Sequence, residues 1–230
     1  MPGPLLILDL SSALYVGLWD GSRVAAFRIR PQGTRGENAL ALIDECLAEA
    51  GIDPGDLAAL AVGIGPGSFT GIRVCGALAQ GLAFPRRLPL YPFSSLAAVE
   101  TCLPPDGAPG VSAIAANAGK WYVRIRGGEE ALLSTDSLLG LGGPGAALAV
   151  SGSIPERERL EAAFGMALAA EERMDFGRLA ELALAAAPAP AGTLRPNYLA
   201  ASAAEDMLKA GLLGVKSVKK GPASGTETSP

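Results

Sequence analysis

Four glycines in nine residues mark the stretch Gly63-Ile64-Gly65-Pro66-Gly67-Ser68-Phe69-Thr70-Gly71-Ile72-Arg73-Val74. Glycines free the backbone for positive φ and for close approach to another surface, and Ser68 or Thr70 can cap a helix that follows. Amides at such a helix start can hold an anion. A nucleotide phosphate loop, however, follows its last glycine with Lys-Ser or Lys-Thr, to reach the terminal phosphates and a magnesium ion. Here Ile72 follows Gly71. The stretch therefore reads either as an anion loop without its cation or as a tight, closely packed strand-to-helix turn. A second group is Asp9 with Ser11 and Ser12 at the end of an apolar strand, where a carboxylate can orient a magnesium-bound water and hydroxyls can contact phosphate. No second glycine-rich turn with a neighbouring carboxylate follows in the distal half. Asp9, Ser11 and Ser12 thus read as a vestigial nucleotide site or as a satisfied strand end.

Composition narrows the chemistry further. The 230 residues include no histidine, which removes the commonest general base and the commonest metal ligand and excludes most hydrolase triads. Cys46, Cys75 and Cys102 are odd in number and widely spaced, so they read as reduced core thiols, with neither a zinc nor a redox motif. We expect no catalytic residue, no metal and no cofactor bound by the chain itself. A net charge of −4 gives no general basic footprint, so any RNA is contacted through a partner. The apolar run Leu5 to Leu10 is short, lacks a basic segment before it and is interrupted by Asp9. It predicts neither a signal peptide nor a membrane span, and the expected compartment is the cytoplasm.

These groups need elements to position them. Apolar runs at 5–10, 14–18 and 24–29, with a turn at Asp20-Gly21, predict three strands. A helix is predicted over about 36–50 with Leu40, Ile43, Leu47 and Ala50 on one face and Gly51 as its stop. Ala58 to Ile64 reads as a buried strand feeding the glycine loop, and 70–84 as the second helix. Pro92-Phe93-Ser94-Ser95 opens a short predicted helix to about Cys102, and a Pro/Gly-rich linker runs from 103 to 110. A hairpin around Asn117-Ala118-Gly119-Lys120, a strand at 147–151, helices near 155–164 and 176–187 and an Ala/Pro hinge at 187–191 complete the order. The fold class is α/β. The expected division is a first lobe at 1–102, a smaller and less regular lobe at 103–215, and a disordered tail at 216–230, which is poor in apolar residues.

The helix at 70–84 is apolar on two sides. Val74, Leu78 and Leu82 share one face, and Ile72, Cys75, Gly76, Ala79 and Ala83 share another, broken only by Arg73 and Gln80. Such a helix is either wholly internal or covers its own core with one face and a partner with the other. The small-residue face is the one expected to meet the partner, because small residues let two backbones approach closely.

The run Gly65-Pro66-Gly67-Ser68-Phe69-Thr70-Gly71-Ile72-Arg73, with Ala79-Gln80-Gly81-Leu82-Ala83 after it, closely resembles the hallmark of the bacterial TsaB (YeaZ) family. Leu8-Asp9-Leu10-Ser11-Ser12 and Arg195-Pro196-Asn197-Tyr198-Leu199 add to the likeness, which spans residues 5 to about 200. The resemblance implies two actin-like (ribonuclease H-like) lobes. It also implies a non-catalytic activating or scaffold subunit of the complex that transfers threonylcarbamoyl to N6 of adenosine 37 in tRNAs reading codons that begin with A. By the same likeness the partner is a homologous TsaD-like catalytic subunit, met through the first-lobe helices at Leu40, Ile43, Leu47, Ile72, Cys75, Gly76, Ala79 and Ala83. A TsaE-like ATPase docks on the pair, the same surface supports a homodimer, tRNA is met only through the complex, and no membrane is involved. The alternative is a freestanding actin-like enzyme, either a nucleotide-dependent kinase or a peptidase-like protein. Departures from the family pattern are Arg35, where many relatives carry histidine, and Ala115, Asn117 and Lys120, where an acid, an arginine and a second acid are usual.

Overall fold

The computed structural model describes residues 3–30, 38–105, 109–165, 167–169, 173–190 and 192–199. Arg35, the start of the first predicted helix, and residues 200–230 with the predicted tail lie outside the described residues. The first half of the chain forms β1 (Leu5–Asp9), β2 (Leu14–Trp19), β3 (Val24–Arg30), α1 (Ala39–Ala50), β4 (Ala59–Gly63), α2 (Phe69–Ala83), β5 (Leu90–Phe93) and α3 (Ser95–Glu100). The second half forms β6 (Gly110–Ala115), β7 (Lys120–Ile125), β8 (Glu130–Ser134), α4 (Thr135–Leu139), β9 (Ala147–Ser151), α5 (Arg157–Phe164), β10 (Ala167–Ala169) and α6 (Phe176–Leu184). Two five-stranded sheets result, ordered β3-β2-β1-β4-β5 and β10-β9-β6-β7-β8. In each, an antiparallel three-strand meander is joined through its first strand to two parallel strands.

Alternation along the strands fixes which layer each side chain enters. In the first sheet Leu6, Leu8, Val16, Leu18, Leu60, Val62 and Leu90 pack outward against Leu42, Ile43, Cys46 and Leu47 of α1 and Cys75, Ala79 and Ala83 of α2. Leu5, Ile7, Tyr15, Ala59, Ala61 and Phe93 point inward, into a core they share with Leu96 and Val99 of α3, Ile114, Ala147 and Ala149 of the second sheet, and Phe176, Leu179 and Ala183 of α6. The outer face of the second sheet has its own core, where Val111, Ala113, Trp121, Val123, Leu148 and Val150 meet Leu138, Leu160 and Phe164. Both sheets are therefore buried on both faces, as continuous apolar strands such as Leu5–Leu8 require.

The two inner helices are exchanged between the sheets. α3 follows the last strand of the first sheet but packs on β6, β7 and β9, whereas α6 follows the last strand of the second sheet and packs on β2, β3, β4 and β5. Within the stretch 103–215 read as the second lobe, α6 and residues after it thus return to the first sheet, where Leu90 and Ala189 form an antiparallel bridge. The sequence reading left β5, β8, α4 and β10 unassigned, and Pro92 and Phe93, where it opened the short helix, end β5 instead, with α3 beginning after the Ser94 cap. Glu130–Ser134 is half exposed and lacks a sustained alternation, α4 has five residues, and β10 has three, too short for a pattern to register.

Local chemistry explains the ends that matter for the site. Gly51 closes α1 in a left-handed conformation with φ 65°. Ser68 caps α2 by accepting from the Gly71 amide at 3.2 Å. Ser94 caps α3 by accepting from the amides of Leu96 and Ala97.

Candidate functional site

The strand ends of β1 and β4 bring the two sequence motifs together. Asp9, Ser11 and Ser12 are buried, with Asp9 on the inner face of β1. Gly63, the last residue of β4, lies directly beneath the Asp9 carboxylate, so close that a Cβ there would sit 2.2 Å from Asp9 Cγ. Asp9 Oδ1 accepts from the Ser11 amide at 2.8 Å, while Oδ2 and the Ser11 hydroxyl have no hydrogen-bond partner. Burial pushes the Asp9 carboxyl above the ordinary carboxylate value, and the Ser11 amide and nearby Ser95 and Ser11 hydroxyls offset only part of this. Beside it the Cys75 thiol, buried and facing the same carboxylate, is pushed well above its usual value and donates to the Leu8 carbonyl at 3.5 Å. Burial also raises Cys46, to about 11, so both thiols are held in the inert protonated form. Among the described residues no three Cys, Asp or Glu side chains converge as a metal-binding group.

Facing Asp9 and its serines is the end of the second sheet. Ser12 Oγ and Ser151 Oγ are 2.5 Å apart, and the Tyr15 hydroxyl shares a hydrogen bond with the same Ser151 oxygen. These buried contacts join the two sheets at their strand ends, where an open α/β fold would bind a ligand. Here the crevice is closed by the protein's own hydroxyls.

The glycine loop is sealed in the same way. Gly67, at φ 154°, lies against the Ser11 carbonyl, and a Cβ there would be 2.4 Å from that oxygen. At Gly71 a Cβ would be 1.9 Å from the Leu10 carbonyl. The Ser68 amide donates to Ser11 O at 2.6 Å, the Ser95 amide to Gly65 O at 2.8 Å, and the Gly65 amide to Ser95 Oγ at 3.1 Å. Gly65 and Pro66 are buried, Ser68 and Thr70 exposed. The glycines thus admit the loop's own neighbouring backbone, and the closely packed turn is the reading that the geometry supports.

The third motif lies on top. Residues 194–198 cross the loop, with the Asn197 amide donating to Ile64 O at 2.8 Å and Asn197 Nδ2 to Glu130 Oε2 at 2.7 Å. Tyr198 packs on Phe69 at 4.9 Å between ring centroids and accepts from Arg73 Nε at 3.3 Å, and the Arg73 guanidinium sits 3.8 Å from the Phe69 centroid. Glu130 also accepts from Ser94 Oγ and lies 3.5 Å from Arg124, so one carboxylate at the start of β8 holds the cap of α3, the crossing segment and the second sheet. Sequence reading did not find Glu130, Ser151 or Tyr15. Each is a polar group at a strand end or on an inner face, and only the pairing of distant strands brings them to this place.

The expected partner face is corrected by the structure. Of the eight residues assigned to it, Ile43, Leu47, Cys75, Ala79 and Ala83 are buried in the first lobe's own outer core, and Ile72 is buried as well. The small side chains of Cys75, Ala79 and Ala83 let α2 lie close on β1 and β4, so the close approach expected with a partner is made with the chain's own sheet. Leu40, 51% exposed, and half-buried Gly76 reach the surface. The opposite side of α2 is the outward one: Arg73, Ala77 and Gly81 are exposed, and Val74, Leu78 and Leu82 are partly so. The departures at Ala115, Asn117 and Lys120 fall at the end of β6, on the exposed β6–β7 turn and at the start of β7.

Comparison with known proteins gives a consistent set. The family described as "TsaD: tRNA N6-adenosine threonylcarbamoyltransferase" matches residues 35–161. The chain is 44% identical over 96 residues to the tRNA threonylcarbamoyladenosine biosynthesis protein TsaB of Haemophilus influenzae, a match covering 41% of each chain. It is 38% identical over 94 residues to the protein of the same description from Escherichia coli, covering 40% of each. The chain is thus matched over about two fifths of the length of these curated relatives. Among solved structures, YeaZ from Pseudomonas aeruginosa superposes with a TM-score of 0.68 at 27% identity, covering 86% of this chain and all of that one.

Proposed function

We propose, from the premise that this chain belongs to the TsaD family and within it to the TsaB (YeaZ) group, that it is a non-catalytic activating subunit in the biosynthesis of threonylcarbamoyladenosine on tRNA. The observation that carries this reading is the sealed loop. The amides and glycines that would cradle a phosphate in a catalytic relative are engaged with Leu10, Ser11 and Ser95 of the same chain. The absence of histidine and the burial of Asp9, which raises its pKa and so disfavours the ionised form, support the same reading, and among the described residues no metal ligand set is offered there. The chain works without a cofactor of its own, in the cytoplasm.

Its partner is a TsaD-like subunit with the catalytic groups, which meets the outward side of α2 and Leu40 of α1; a homodimer would use the same surface. A TsaE-like ATPase docks on the pair, and tRNA is reached through the assembled complex. Reconstitution tests this. Ala77→Trp with Gly81→Trp, both at exposed positions, should abolish pairing with the catalytic subunit on size exclusion and threonylcarbamoyl transfer to tRNA, with the melting temperature unchanged. Unaltered pairing would remove this face from the interface. Micromolar binding of ATP and magnesium by the isolated chain in calorimetry would favour the freestanding enzyme instead.

A further inference from the structure

Where α2 ends, the chain makes a single 3-10 turn, Phe84–Arg86, and leaves it through Arg87 at φ 53° and ψ 40°. Together with residues 188–190 this turn encloses an open groove of about 710 Å³, whose walls include Phe84, Pro85, Arg87, Leu88, Pro188 and Pro190. We propose that this groove is a docking site for an acidic, extended segment of another protein carrying an aromatic or branched aliphatic anchor.

Three observations converge on that occupant. The walls are apolar, and Phe84 is 76% exposed, so a large ring is held at the mouth with nothing of the described chain covering it. Proline at four of the lining positions removes backbone donors and stiffens both walls, leaving shape and charge to select what enters. The charge is Arg87. Arg86 turns away, its Nη1 donating to Pro54 O at 2.9 Å, whereas among the described residues no carboxylate pairs with Arg87. The Arg87 guanidinium thus makes the groove locally cationic against a net chain charge of −4, and that local charge favours an anionic guest there. Arg87 occupies a left-handed backbone that glycine would adopt without cost, so the position carries a charged side chain at the expense of local backbone fit. One free guanidinium is too little for nucleic acid, whose binding needs several phosphate contacts, while an apolar slot with one cation suits a peptide anchor flanked by carboxylates.

The test is an NMR titration of the nitrogen-15-labelled full chain with two probe peptides, acetyl-DEFDEL-amide and acetyl-KKFKKL-amide, and with a hexauridine RNA. The acidic peptide should shift the amides of residues 84, 87, 88 and 189 and bind at least tenfold more tightly than the basic one. Arg87→Gly should weaken it at least tenfold while melting at the same or a higher temperature, and Phe84→Ala should weaken both peptides. Equal affinity for the two peptides, or unchanged binding by Arg87→Gly, would overturn the proposal. So would shifts of these amides by the RNA alone, concentration-dependent broadening there without peptide, which would assign the groove to a second copy, or binding only after residues 200–230 are removed.

Discussion

The two sheets are built to one plan and finished differently. Each is a meander whose first strand is joined by two parallel strands, and each sends the helix after its fifth strand onto the inner face of the other. The outer layers diverge. The first sheet carries helices of 12 and 15 residues, and the second carries helices of 5 and 8 at the equivalent places in the order. The inner strand ends diverge too: β1 finishes on Asp9 and β6 turns Ile114 inward. The shared inner layer therefore accounts for the fold, and the long outer helices and glycine loop of the first lobe are where this chain departs from a plain duplicate.

Core truncations test how far the two halves act as one. Leu60→Ala in β4 and Leu148→Ala in β9 remove fully buried side chains from corresponding outer faces, and each should lower stability by about 2–5 kcal/mol. Because both sheets contribute to a single inner core, each variant should still melt in one calorimetric transition. Two transitions would break the comparison and make the lobes independent.

The glycine loop comes next. Gly71→Ala drives a Cβ into the Leu10 carbonyl and should cost about 3 kcal/mol, the upper end for overpacking. Gly76, five residues on in the same helix, would place a Cβ no closer than 4.0 Å to any neighbouring side chain, so Gly76→Ala should stabilise by about 0.5–1 kcal/mol. Chemical denaturation of the two variants reads the contrast, and equal effects would remove the close-approach explanation.

Asp9 gives the asymmetry a pH signature. Its folded pKa lies above the ordinary 3.8, so its contribution to stability is present below 3.8 and is lost as the pH rises through the folded value. Asp9→Asn should be more stable than the parent at pH 8, should lose this advantage at pH 3, and should still accept from the Ser11 amide. If Asp9→Asn proved less stable than the parent at pH 8, the carboxylate would be ionised and needed. The smallest effect concerns turns. Asp20 organises the β2–β3 turn by accepting from the Ser22 and Arg23 amides, whereas the β6–β7 turn places Ala118 at φ 56° and Gly119 at φ 68°, a conformation that favours Asn before Gly. Ala118→Asn should raise stability by about 0.5 kcal/mol in thermal melts, a fraction of the cost of a left-handed alanine.

The amino-acid sequence made much of the first lobe legible because its signals are local: apolar runs, the Asp20 turn, Gly51 after α1, Ser68 before α2. The glycine loop could be read as a close-packed turn, but the object it packs against, the Leu10 and Ser11 carbonyls, lies more than fifty residues earlier in the chain. The two apolar sides of α2 illustrate the limit. A helical wheel separates Cys75, Ala79 and Ala83 from Leu78 and Leu82 without saying which side meets the sheet, and the smaller side does. The Ser12–Ser151 and Asn197–Glu130 contacts had no local signal at all, since they exist only once distant strands are paired.

The crossing of the glycine loop by Asn197 and the return of α6 have a consequence for how this protein is made. Synthesis delivers the chain from its amino end at about 5–20 residues per second, and lobes tend to fold as they emerge. Here the first sheet leaves the ribosome with its inner face unfinished, because Leu5, Ile7 and Tyr15 await Phe176 and Leu179, and Ile64 awaits Asn197. Until those last segments arrive, the oldest part of the molecule presents a greasy, half-built surface to its surroundings. A nascent chain cut short before residue 176 therefore loses the lid of a sheet whose strands were all translated long before the break.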